Sequence, residues 1–94
     1  MANVWVANDD GTEIVRARDI AGASLDVDGN VAVRLASGVL TISGRQTDEE
    51  KDRPDDFHRQ LIRVIAQLSD AAGAFLVRAV YHEVRGWQWI SEPL

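Results

Sequence analysis

Cysteine is absent from this 94-residue chain, and with it go disulfides, thiolate catalysis and Cys-based zinc sites. Lysine is almost absent as well. Of the ten basic residues only Lys51 is lysine, and they face fifteen acidic ones, for a net charge of −5. An acidic chain with one lysine is poorly made for holding phosphate backbones. No apolar run approaches the length of a membrane span, and MANVWVANDD has neither a basic leader nor a signal-type apolar segment. A cytoplasmic setting is the expectation.

Chemistry-bearing patterns are equally scarce. Neither a G-x-x-x-x-G-K-[ST] nor a G-x-G-x-x-G string occurs, and no serine stands in a nucleophile elbow. The two histidines, His58 and His82, have no ligand-like spacing. His82 and Glu83 are neighbours in a β-rich run, so they point to opposite faces and make no acid–base pair. Asp26-Val27-Asp28-Gly29-Asn30 hints at a calcium loop, but counting from Asp26 the sixth position is Val31 and the twelfth Ser37, where an EF-hand needs Gly and Glu. A hairpin turn accounts for the same residues. These exclusions argue against an enzyme, a metal site and any cofactor.

What is present is one strong helix signal among strand signals. In PDDFHRQLIRVIAQLSDAAG, Phe57, Leu61, Val64, Ile65, Leu68 and Ala72 fall on one helical stripe, with Ile62 and Ala66 on its flank. The spacing predicts a helix over 54–72. Pro54 would take the first helical position, Asp55 and Asp56 the first turn, and Gly73 the place just past the end.

Before the helix a meander of short strands is expected over 3–44: 3–8, 12–18, 21–27, 31–36 and 39–43. Asp9-Asp10-Gly11, Asp28-Gly29-Asn30 and Ser37-Gly38 mark turns between them. Val15 and Ala17 should face inward, with Ile14, Arg16 and Arg18 on the wetter side. Residues 45–53 (RQTDEEKDR) are expected to form a solvated, mobile linker outside the core. After the helix a hairpin is expected over 74–91, and its first strand is apolar on both alternation sets, as if covered on both faces.

The expected architecture is a single α+β domain: a strongly twisted antiparallel sheet of six or seven strands with one long amphipathic helix on one face. At this length roughly 60–65% of the unfolded surface becomes buried, enough for a domain that stands alone with little margin. The expected function is that of a protein-binding or adaptor module, an inhibitor or accessory protein that meets a basic partner surface or pairs as a homodimer. The three tryptophans, Trp5, Trp87 and Trp89, would either roof the core of so small a domain or offer aromatic contact surface, with the roof favoured. The contact residues of a module would be Trp87, Trp89 and Ile90, together with the acidic run Asp48, Glu49, Glu50, Asp52, Asp55 and Asp56. The alternative is a nucleic-acid-binding regulator that uses Arg16, Arg18, Arg59 and Arg63 as one surface.

Overall fold

The computed structural model describes residues 3–44 and 52–94. The chain runs β1 (Asn3–Ala7), β2 (Ile14–Arg16), a 3-10 turn (Ala17–Asp19), β3 (Gly22–Leu25), β4 (Val31–Leu35), β5 (Gly38–Ser43), α1 (Phe57–Ser69), β6 (Ala74–His82) and β7 (Gly86–Pro93). The α+β class with one helix is as expected, and all seven strand signals correspond to strands. The strands form two sheets, however, one of four strands in the order β2-β1-β6-β7 and one of three in the order β3-β4-β5. All pairs are antiparallel except β1 with β6, where Asn3 lies beside Ala74 and Val6 beside Val77 in parallel. A parallel pair needs a long crossover, and α1 supplies its return leg.

Alternation along the strands decides what lies inside. Val4 and Val6 of β1, Val77 of β6 and Trp87 of β7 are buried on one face of the four-stranded sheet. They cluster with Val31 and Val33 of β4, Ile42 of β5 and Phe57 and Leu61 of α1. The helix and the smaller sheet therefore share one face of the larger sheet. In β5 the register slips between Val31↔Ser43 and Ala32↔Thr41, which leaves Ile42 as an extra residue. This bulge turns both Ile42 and Ser43 inward.

The helix is shorter than its apolar stripe predicts. The Phe57 N–H bonds back to the Pro54 carbonyl at 3.0 Å. Pro54, Asp55 and Asp56 thus form a turn that delivers Phe57 to the core, and regular helix begins at Phe57 instead of Pro54. At the other end the Ala71 N–H bonds to the Leu68 carbonyl, and Gly73, at φ 103°, reverses the chain into β6. The linker expectation meets a similar correction. Residues 45–51 lie outside the described residues, but Arg53, expected in solvent, is only 4% exposed.

Leu61, fully buried between the sheets, gives the most direct check on this packing. Leu61→Ala should cost about 2–5 kcal/mol in urea unfolding, through lost transfer energy and the cavity left behind. A loss below about 0.5 kcal/mol, typical of a surface site, would contradict it.

Candidate functional site

The two tryptophans of β7 were the leading candidates for a contact surface, and the structure places both against the core. Trp87 is 8% exposed. Trp89 stacks on Phe57 with centroids 4.6 Å apart, and its indole N–H donates to the Phe57 carbonyl at 2.8 Å. Trp87 meets Phe57 edge-on at 6.4 Å and Tyr81 at 5.4 Å. Ile90 belongs to the opposite face of the sheet, beside Arg78.

Arg53 closes this aromatic cluster from outside. Its guanidinium carbon lies 4.1 Å from the Trp87 ring centroid, and its Nε donates to Ser43 Oγ at 2.7 Å. A longer contact of 3.5 Å runs from Nη1 to the Gly29 carbonyl. One buried cation thus joins the β3–β4 turn, the bulged end of β5 and the start of β7. Such a group is tolerated inside only because its donors are met and a ring face receives its charge.

Asp48, Glu49 and Glu50 lie outside the described residues. Asp52, Asp55 and Asp56 are exposed, and Asp56 accepts the Gln60 side-chain amide at 2.9 Å. The histidines are structural in position. His82 Nδ1 accepts the Val84 and Arg85 amides at 3.1 and 3.2 Å and so ties the β6–β7 turn. His58 Nδ1 is buried without a hydrogen-bond partner among the described residues. Asp26 is a turn cap: Oδ1 accepts the Asp28 and Asn30 amides at 2.9 Å each, and Oδ2 accepts the Asn30 side-chain amide at 3.1 Å. No group of three or more His, Asp or Glu among the described residues is placed to hold a metal ion. No described helix is long and apolar enough to cross a membrane.

The surface that remains is the other face of the four-stranded sheet. By alternation it carries Trp5 and Ala7 of β1, Ile14 and Arg16 of β2, Leu76, Arg78 and Val80 of β6, and Gln88, Ile90 and Glu92 of β7. The helix and most of the smaller sheet pack on the opposite face, although Leu35, Ala36 and Ser37 at the end of β4 come up to Trp5, Ile14 and Arg16 at the β2 edge and Ala7 is only 1% exposed. The strand registers arrange these side chains in rows. One row reads Arg16, Trp5, Leu76, Glu92; beyond it Ile14 pairs with the buried Ala7, and Arg78 with Ile90. Arg16 lies over the Trp5 ring at 5.0 Å from its centroid, and Arg78 pairs with Glu92 at 3.3 Å. Trp5, Leu76, Val80 and Ile90 are only half-buried.

Two clefts open at the β2 edge of this sheet, and Trp5 and Arg16 line both. The first holds about 320 Å³, and Arg18 and the helix residues Ile65 and Ser69 also line it. Arg59 and Arg63 are exposed on the helix and do not reach it. Of the four arginines expected to form one surface, Arg16 and Arg18 share this cleft, and Arg59 and Arg63 are not among its lining residues. Sequence reasoning missed Leu76 and Val80, and it weighed Trp5 only as one of three tryptophans. The signal was the two-sided apolar pattern of β6.

No protein-family model, curated protein or solved structure matches the chain.

Two measurements check these assignments. Replacing Arg53 with Met keeps an apolar stem over Trp87 but leaves Ser43 Oγ without its donor. It should lower unfolding stability by about 1–3 kcal/mol, the range for losing a charged hydrogen bond and orphaning its partner; a neutral result would mean the contact is incidental. For Asp26, the Asn30 backbone amide above all, then the Asn30 side chain and the Asp28 and Gly29 amides, hold the carboxyl below its ordinary 3.8. A lowered folded-state value means that the stabilisation is present above 3.8 and is lost as pH falls through the folded value. NMR titration should show Asp26 protonating below 3.8, and a midpoint at or above it would remove the cap.

Proposed function

We propose that the protein is a non-catalytic binding module of the cytoplasm that acts through protein–protein contacts. Its contact surface is the open face of the four-stranded sheet, and the occupant is a second copy of the chain. The observation that carries this is the order of side chains in the rows. Arg16, Trp5, Leu76 and Glu92 place opposite charges at the two ends of an apolar middle.

Two such faces, related by a two-fold axis that lies between them and runs along the strands, present each row to itself reversed. Arg16 then stands opposite the partner subunit's Glu92, and Trp5 opposite the partner subunit's Leu76. Beyond that row Ile14 meets the partner subunit's Ile90. Self-complementarity of this kind is what an isologous dimer requires, and sheets stack face to face within about 30° of alignment. A nucleic-acid surface draws less support, because Arg59 and Arg63 do not line the cleft that Arg16 and Arg18 share.

Sedimentation equilibrium tests the reading. The wild type should dimerise. Arg16→Glu or Glu92→Arg alone should weaken the dimer about tenfold or more by placing like charges opposite each other at both ends. An equimolar mixture of the two variants should recover association, because both contacts become opposite in sign again. A wild type that stays monomeric at millimolar concentration, or a dimer indifferent to both reversals, would overturn it.

A further inference from the structure

The cleft shared by β1, β2, the 3-10 turn and the helix has a composition that the sheet face does not explain. Val4, Trp5, Ala17 and Ile65 give it apolar walls, while Arg16 and Arg18 bring two guanidinium groups to it. In a chain of net charge −5, neither arginine has an ion pair or a hydrogen bond among the described residues. The one contact of Arg16 is with the Trp5 ring, and Asp19 lines the other cleft, on the far side of Arg16. Two exposed guanidinium groups thus stand beside an apolar hollow with no protein acceptor engaging them among the described residues.

The geometry points to a binding site for a small organic monocarboxylate with an apolar body. A guanidinium presents paired donors that match the two oxygens of a carboxylate in one plane. The space of about 320 Å³ is that of roughly ten water molecules at the liquid's volume per molecule. It suits one ring or branched chain and sits at the small end of ligand pockets. The helix ends at Ser69, which lines the same cleft. The negative end of the helix dipole is therefore close by, and it disfavours a multiply charged anion such as a phosphate ester. The apolar walls set the ligand's body and the arginines its charge, while the helix end opposes any anion and a multiply charged one most. Trp5 and Arg16 belong both to this cleft and to the row that pairs in the proposed dimer, whereas Arg18 belongs to the cleft alone, so a variant at Arg18 tests the cleft without touching the dimer contacts.

Amide and side-chain NMR titrations with phenylacetate, indole-3-acetate, benzyl alcohol and inorganic phosphate test the site on the intact chain. The two carboxylates should give saturable shifts at Val4, Ala17, Arg18 and Ile65, with dissociation constants of millimolar or below. Benzyl alcohol should not saturate, and phosphate should bind more weakly than either carboxylate. Arg18→Gln should weaken carboxylate binding about tenfold, the worth of one charged contact, while Arg59→Gln on the outward helix face should leave it unchanged. No saturation by tens of millimolar, shifts scattered over the surface, equal binding of phosphate, or an Arg18→Gln variant that binds as the wild type does would each overturn the proposal.

Discussion

The parallel contact between β1 and β6 is the constraint on which the rest of the structure depends. It joins segments on either side of the meander and the helix, Asn3 beside Ala74 and Val6 beside Val77. Every element between them therefore lies inside one long closure, whose entropic cost must be met by the contacts it brings together. Once β1 and β6 are adjacent, β2 and β7 add at the outer edges by short hairpins. The intervening meander and helix can then bury their apolar residues only on the face where the return leg runs. Closure on one side leaves the other without the helix over it, and the candidate surface is a consequence of topology as much as of its residues.

The closed side is held by aromatic packing around Phe57 and sealed by Arg53. Stacked and edge-on contacts of Phe57 with Trp89 and Trp87 come with large buried area. They also tie the helix's first residue to the last strand. Arg53 adds a cation over Trp87 and a hydrogen bond to Ser43. Ser43 faces inward only because the β5 bulge places two successive residues on the buried side. A bulge in one strand, a buried arginine beyond the acidic run and a tryptophan of the final hairpin are thus parts of one arrangement.

Much of the fold is legible in the sequence. Alternation and turn residues identify the seven strands, and the helical stripe names the buried Phe57 and Leu61. Period-two alternation reports which face a residue takes, not which strand lies beside it, so neither the parallel pair nor the division into two sheets could be read. Helix limits were overdrawn at both ends, because Pro54, Asp55 and Asp56 suit a turn as well as a first helical turn. Arg53 was lost among charges, since composition does not show that one guanidinium finds a ring and a hydroxyl. The tryptophan pair could be weighed only between core and contact surface, and its alternation set proves to be the inward one. Leu76 and Val80 were hidden in a strand that is apolar on both sets, a pattern that fits a doubly covered strand and equally a strand with one face left for a partner.

The central claim is that the four-stranded sheet has one closed face and one that the chain itself leaves open. Methyl relaxation in the presence of a soluble paramagnetic agent measures this directly. At high dilution, Leu76, Val80 and Ile90 methyls should relax strongly, while those of Val77, Val33 and Ile42 stay unaffected; on concentration, Leu76 and Ile90 should become protected. Protection of Leu76 and Ile90 at every dilution would show that the chain covers this face itself, and strong relaxation at Val77 would show that the faces are assigned the wrong way round.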